Sequence, residues 1–204
     1  GRAELLGSDK RIGALSAIGA VSPPGGDLSE PVTQATLRIV KVFWGLDDRL
    51  AARKHFPATD WLASYSLYAD RMDDYFRSKV SGDFPDMRDE AMAILQQESE
   101  LNEIVRLVGI DALSPKQRMI LETAKSLRED FLYQSAFHDV DTYCSQAKQD
   151  GILRIILTLH KKSLAALDAG VKLDVILKLP VRERIARARL VRENEWPAEF
   201  DVIM

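Results

Sequence analysis

The stretch Ser22-Pro23-Pro24-Gly25-Gly26-Asp27-Leu28-Ser29-Glu30-Pro31 is a loop of unusual composition between two ordered segments. The segment Gly13–Val21 before it is small and apolar, which is typical of a buried strand. After it, Ser29, Glu30 and Pro31 predict a helix start: a hydroxyl cap, an acidic residue, then a proline whose missing N–H costs nothing there. This order of strand, Gly-rich loop and helix is typical of an α/β domain, although a lone glycine pair also occurs in ordinary connections.

The first third of the chain predicts only a small piece of such a domain. A helix is expected from about Pro31 to Leu46, with Phe43 and Trp44 on its apolar face. A short strand is expected over Asp48–Arg53. Two strands and one helix cannot complete a sheet, because their backbone edges would stay unpaired. We therefore interpret residues 1–65 as a strand-loop-helix-strand remnant of an α/β nucleotide-binding domain.

From about Trp61 onward the pattern is helical throughout, so the fold class is mainly α. A long helix is expected between Asp83 and Gly109, and Ser114-Pro115-Lys116-Gln117 is a capping box that begins the next one. The charged run Val181–Glu195 predicts a last helix, whose arginines form a solvated face or, less simply, an anion site. Helices joined by short connections predict a bundle over residues 66–204.

Composition excludes several classes of protein. The net charge of −3 over 204 residues argues against a nucleic-acid binder, which would carry a basic excess. A single cysteine excludes an internal disulfide, and three scattered histidines argue against a metal site. No apolar run reaches the length of a membrane span, so direct membrane insertion is not expected.

A series of segments resembles the catalytic A subunits of archaeal-type and vacuolar-type rotary ATPases. The resemblance begins in the Ser22–Pro31 loop and covers almost all of the chain. The segments that carry it are Val42–Asp47, His55–Ala58, Trp61–Leu62, Ser64–Ser66, Gln97–Leu101, Glu103–Val105, Asp130–Leu132 and Val140–Cys144. The resemblance implies the C-terminal part of a subunit that makes or hydrolyses ATP for ion transport.

The phosphate-binding loop of such a subunit, Gly-x-x-x-x-Gly-Lys-Ser/Thr, does not occur in these 204 residues. We therefore expect the chain to be cut from a longer subunit, with the ligands of the ATP or ADP phosphates and of Mg lying upstream. The chain by itself is then expected to hold no catalytic residue and to be inactive.

The resemblance implies an adenine-binding wall made by two segments. Phe56, followed by Pro57, matches one aromatic wall, and Phe137, with Ala136 beside it, matches the second. Without the family, each aromatic is more simply interpreted as a packing or hinge residue. Stacking on a base contributes about 1–3 kcal/mol and cannot transfer a phosphoryl group.

The resemblance also implies contacts with a rotor and with neighbouring subunits. The expected partners are the rotor subunit of the central stalk and B subunits in an alternating A/B hexamer, on the cytoplasmic face of the membrane. The residues that match rotor-contacting positions are Asp27, Ser29, Glu30, Asp111, Ala112, Leu113 and Ser114. The second group carries little negative charge, so steric pushing by a stiff turn is expected rather than attraction to a basic rotor. The alternative is a non-catalytic helical interaction module of a rotary-ATPase homologue.

Overall fold

The computed structural model describes residues 2–7 and 9–204, without the side chain of Arg2. The chain divides into two compact units, of which one ends at Lys41 and the other runs from Val42 to Met204. The predicted boundary between residues 65 and 66 stays a prediction. None of the helices in the described part of the chain is long and apolar enough to span a membrane.

The first unit contains a small antiparallel hairpin. Its strands are β1 (Arg2–Glu4) and β2 (Ile12–Ala14), in the register that pairs Ala3 with Gly13. The predicted buried strand over Gly13–Val21 is wrong, because β2 ends at Ala14 and Ile18 is 85% exposed. An apolar run is buried only where a second layer packs on it. The partner strand β1 is three residues long, so it pairs with only a short part of the run.

Helix α1 (Pro31–Ile39) begins where the sequence predicted, with Pro31 in its first turn. The cap is Glu30 rather than Ser29: the Glu30 carboxylate accepts from the backbone N–H groups of Val32 and Thr33 at 2.9 and 2.8 Å. The predicted extension of this helix to Leu46 is wrong. Val40 is extended, and β-branched and aromatic residues after it favour a strand.

The second unit opens with another antiparallel hairpin, β3 (Val42–Leu46) and β4 (Thr59–Ser66). The rings of Phe43 and Tyr65 lie 5.8 Å apart across it. The helical prediction from Trp61 is therefore wrong as far as Ser66. The predicted strand Asp48–Arg53 is also wrong, because helix α2 (Asp48–Ala52) lies there, capped by the Asp47 carboxylate, which accepts from the Arg49 N–H at 2.6 Å.

The rest of the second unit is a helical bundle, which confirms the predicted fold class. The helices are α3 (Ala69–Lys79), α4 (Phe84–Val108), α5 (Pro115–Ser126), α6 (Gln146–Asp168), α7 (Leu173–Leu177), α8 (Val181–Arg187) and α9 (Trp196–Ile203). The 25-residue α4 ends where Gly109 adopts a positive φ of 87°, and the capping box predicted at Ser114 begins α5. The predictions of the long helix and of its stop are therefore confirmed.

A six-residue π-helix, Leu127–Leu132, continues α5 without a break. Leu127 and Ala124 point into the core from this continuous segment. The centre of the core is α6, whose residues from Gly151 to Leu157 are buried except for the half-buried Arg154. The apolar side chains of α4 and α5 pack around it.

The predicted single helix Val181–Glu195 is wrong beyond Arg187. A 3₁₀ turn, Ala188–Leu190, follows α8, and the missed helix α9 begins at Trp196. The fully buried ammonium group of Lys148 donates to the carbonyls of Arg189 and Val191 at 2.8 and 2.5 Å. A buried charge must be given acceptors, and the irregular backbone after α8 presents these two carbonyls to it.

We expect the substitution Gly151→Ala to destabilise the bundle. A Cβ atom at position 151 would lie 2.6 Å from Cζ2 of Trp196, a buried ring that cannot move without displacing α9. Overpacking costs about 1–3 kcal/mol and the gain in helix propensity returns up to about 1 kcal/mol, so a net loss of about 1–2 kcal/mol is expected in urea unfolding.

Gly82→Ala is the matched control, because a Cβ there meets no heavy atom within 4 Å. Its free energy of unfolding should stay within about 0.5 kcal/mol of the parent. Equal stability of the Gly151 and Gly82 variants would show that α9 does not pack on α6 as described.

Candidate functional site

The structure brings together the two segments that the sequence predicted as walls of one site. The backbone N–H of Gln134 donates to the carbonyl of Phe56 at 2.7 Å. The side chain of Phe56 is 50% exposed and that of Phe137 is fully exposed. Pro57, joined to Phe56 by a cis peptide bond, and Ala136 are exposed as well. Two loops distant in sequence therefore meet, and each carries a solvent-exposed aromatic ring.

The first segment is anchored through His55. Its Nε2 lies 2.8 Å from the carbonyl of Arg128, which can only accept, so Nε2 carries a proton and donates. The His55 ring also meets the rings of Trp61 and Tyr133, with centroids 5.8 and 5.6 Å away. These contacts hold the residue directly before Phe56 against the π-helix.

The side chain of Arg128 ties the same π-helix to the middle of α4. Its guanidinium pairs with the carboxylate of Glu98 at 2.9 Å. Glu98 is the polar interruption in the apolar pattern of α4 and is buried there. Burial raises the pKa of Glu98 above its ordinary value, and the Arg128 charge and hydrogen bond oppose that rise without cancelling it.

The second segment is anchored through Asp141, which is buried. Its Oδ2 accepts from the backbone N–H of Ser135 at 2.7 Å and is in contact with Nη1 of Arg189. The side-chain amide of Gln134 donates to the Asp141 carbonyl at 2.8 Å. The hydroxyl of Thr142 donates back toward the carbonyls of Ala136 and His138. Hydrogen bonds to Asp141 and Thr142, which follow Phe137 in the chain, therefore stabilise the loop that carries Phe137.

The two segments offer two exposed aromatic faces. Aromatic rings bind a base by stacking, with modest dependence on which base it is. No group of three or more His, Cys, Asp or Glu side chains suited to a metal ion occurs among residues 2–7 and 9–204.

The predicted rotor-contacting residues of the first unit bond mainly to their own loop. Asp27 accepts from the N–H and hydroxyl of Ser29 at 2.9 and 2.6 Å, and Glu30 caps α1. These hydrogen bonds to Ser29 lower the pKa of Asp27, and those to Thr33 and Val32 lower the pKa of Glu30. Both carboxylates therefore stay ionised to lower pH than unbonded acids would.

The second predicted group lies at the turn between α4 and α5. Asp111 and Ala112 form a 3₁₀ turn and are exposed, Ser114 is an exposed cap, and Leu113 is buried. Asp111 pairs with Arg118 at 2.9 Å. We call the segment Leu107–Ser114 the hairpin tip.

Sequence reasoning missed that the hairpin tip is apolar at its start. Leu107 is 82% exposed, and Val108 and Ile110 are exposed beside it. The sequence contained a signal for this. Apolar residues lie on both sides of Gly109, which ends α4, and they cannot all face the core. Sequence reasoning also placed Arg189 on a solvated helix face, whereas it turns inward to Asp141.

The chain matches two family models that adjoin along the sequence. Residues 73–177 match the C-terminal domain of V and A type ATP synthase. Residues 2–66 match the nucleotide-binding domain of the ATP synthase alpha/beta family.

Curated relatives are similar over the whole chain. The V-type ATP synthase alpha chain of Thermoanaerobacter pseudethanolicus is 59% identical over 203 residues, which is 100% of this chain and 34% of that protein. The corresponding A chain of the A-type ATP synthase of Thermococcus sibiricus is 58% identical over 93% of this chain and 32% of that protein. The chain thus spans about a third of the length of these relatives.

A solved structure shares the fold. It is described as a unique ATP synthase subunit, NeqB, from Nanoarcheaum equitans, and matches with a TM-score of 0.57 and 24% identity. The match covers 68% of this chain and 34% of that one.

We expect Arg128→Gln to destabilise the protein more at pH 7 than at pH 5. Without the guanidinium, burial acts unopposed on Glu98, so its pKa rises further above 4.5. An acid whose folded-state pKa is raised loses stability as pH increases through that pKa. The loss at pH 7 should be about 1–3 kcal/mol in urea unfolding, and smaller at pH 5 where Glu98 takes up a proton.

Arg106→Gln is the control, because Arg106 forms an exposed pair with Glu103 on the same helix. It should cost less than about 0.5 kcal/mol at either pH. An Arg128→Gln loss that is the same at both pH values would contradict the buried-pair interpretation.

Proposed function

The chain belongs to the family of V- and A-type ATP synthase alpha (A) chains, and we propose that it supplies the base-binding wall and the rotor-facing helical domain of such a catalytic subunit. In this proposal the subunit works as part of an ion-translocating ATP synthase or ATPase, peripheral to the membrane sector. ATP or ADP binds with its base against this chain, and the ligands of the phosphates and of Mg come from outside these 204 residues.

The observation that carries the proposal is the 2.7 Å hydrogen bond from Gln134 to the Phe56 carbonyl. It joins the two loops that the family resemblance nominates as adenine walls, although the sequence gives no local reason for them to meet. Both aromatic rings are left open to solvent instead of being packed into the core. An aromatic side chain that a rigid scaffold presents on an exposed loop is available to a ligand.

Helix α4 connects this site to the hairpin tip. Glu98 pairs with Arg128, whose carbonyl holds His55 next to Phe56. Ten residues further along the same helix, α4 ends at Val108, about 15 Å away at the rise of an α-helix. A push on the hairpin tip would therefore move Glu98, which is paired with Arg128 of the π-helix. We propose that this movement couples a central stalk to nucleotide binding.

The chemistry of the hairpin tip supports contact by packing. Leu107, Val108 and Ile110 are exposed at the end of a capped helix, and the one acidic side chain there, Asp111, is already paired with Arg118. We propose that the tip meets the rotor with apolar surface, and that Asp27, Ser29 and Glu30 offer a second, polar contact. B subunits arranged alternately with this subunit in a hexamer complete the proposed assembly.

Phe56→Ala and Phe137→Ala should each weaken binding of ATP and ADP in a full-length subunit that contains this chain. Loss of one stacking face removes about 1–2 kcal/mol, so the Kd should rise roughly tenfold in calorimetric titration. The preference among purine bases should change little, since any base has a face to stack.

Tyr143→Ala serves as the matched control, because Tyr143 is an exposed aromatic of the same loop that lies outside the proposed walls. Its Kd should equal that of the parent. If both phenylalanine variants also bound nucleotide like the parent, the adenine-wall assignment would be withdrawn and the non-catalytic interaction module favoured.

The isolated chain should show no ATPase activity. No phosphate-binding loop occurs in its sequence, so nothing in it stabilises charge on a transferred phosphoryl group. A steady-state phosphate-release assay on the pure chain tests this. Turnover that disappeared with substitutions inside these 204 residues would contradict the proposal.

A further inference from the structure

We infer that Arg189 is a positioning residue for the nucleotide base, because one guanidinium group contacts both Asp141, which holds the second aromatic segment, and Tyr133, whose ring packs against the residue before Phe56. The inference rests on the proposed function, since it assigns a role within the adenine wall. Arg189 itself lies in the 3₁₀ turn after α8 and belongs to neither segment.

The backbone of Arg189 is held in place independently of the contacts that its side chain makes. Its carbonyl accepts from Nζ of Lys148 at 2.8 Å, and the same ammonium group binds the carbonyl of Val191. Lys148 lies in the first turn of α6 and is fully buried. The turn that carries Arg189 is therefore tied to the central helix of the core, and the starting point of its side chain is fixed.

The guanidinium of Arg189 reaches the second segment by its edge. Nη1 contacts Oδ2 of Asp141, and this same oxygen accepts from the N–H of Ser135 at 2.7 Å. Ser135 stands two residues before Phe137. The side chain of Asp141 is 4% exposed, and that of Arg189 is 21% exposed, so the pair is well shielded from competing water and salt.

The guanidinium is linked to the first segment through the ring of Tyr133. Its Cζ lies 4.6 Å above the centroid of the Tyr133 ring. That ring packs against the His55 ring in an edge-type contact, with centroids 5.6 Å apart, and His55 precedes Phe56. A planar guanidinium suits both contacts, since it can pair with a carboxylate through its N–H groups while it lies over an aromatic ring. This explains why an arginine stands at the junction.

The experiment compares binding of ADP and of inorganic pyrophosphate to a full-length subunit that contains this chain. Pyrophosphate carries no base, so it reports on the upstream phosphate site alone. Arg189→Gln should raise the Kd for ADP about fivefold to tenfold and leave the Kd for pyrophosphate within about twofold. In a Phe56→Ala/Phe137→Ala background, the same substitution should change the Kd for ADP by less than about twofold, because the walls it positions are gone.

Arg187→Gln is the matched control, since Arg187 is an exposed arginine two residues away and forms no ion pair in the part of the chain that the structure describes. It should bind ADP like the parent. An Arg189→Gln subunit that lost ADP and pyrophosphate equally would show a general structural role and overturn the inference. The inference would also be overturned if the Arg189→Gln subunit kept its affinity for ADP while the Phe137→Ala subunit lost it.

Failure of the proposed function gives a different result, because then the phenylalanine variants themselves bind ADP like the parent. If Arg189→Gln yields no folded subunit, Asp141→Asn takes its place, with Asp139→Asn as the control for loss of the same charge in the same loop. Asp141→Asn should weaken ADP binding selectively over pyrophosphate. Equal behaviour of the two asparagine variants would overturn the inference.

Discussion

The ammonium group of Lys148 lies wholly inside the protein, and the fold has to give it acceptors there. It finds two in the carbonyls of Arg189 and Val191, which belong to a turn more than forty residues away. Both carbonyls lie in the irregular backbone that follows the end of α8 at Arg187 and passes beside the start of α6. The alternative is an unpaired charge in a low-dielectric core, which costs far more than an interrupted helix. The path of the last part of the chain follows from this one requirement.

The candidate site depends on the same need to satisfy buried polar groups. Glu98, Asp141 and Lys148 are charges that the core shields strongly, and each is paired with a group that touches a loop of the site. The apolar core gives the bundle its stability, but apolar contacts are non-directional and do not fix the position of a loop. Hydrogen-bonded charges are directional, and here they connect the core to Phe56 and Phe137.

The sequence predicted the bundle far better than the hairpins. The span between Asp83 and Gly109 and the capping box at Ser114 are local signals, and both appear in the structure. The helical prediction over β4 failed because its strand state depends on pairing with β3, which the local pattern does not contain. The turn at Arg189 depends on Lys148 in another helix for the same reason. The family resemblance nominated Phe56 and Phe137, but no periodicity could show that their loops are hydrogen-bonded to each other.

The π-helix at Leu127–Leu132 gives this architecture one place where the chain length can change without a change of direction. A π-helix accommodates one residue more than the α-helix that would fill the same axial distance, so deleting one residue there allows the helix to continue regularly instead of breaking. Each residue of an α-helix turns by about 100°, so a deletion within the regular helix α5 would instead rotate everything after it. Such a deletion would swing Tyr133 and Gln134 away from His55 and Phe56. The position of an insertion or deletion along this helix thus decides whether the two segments still meet, even where every aromatic residue is retained.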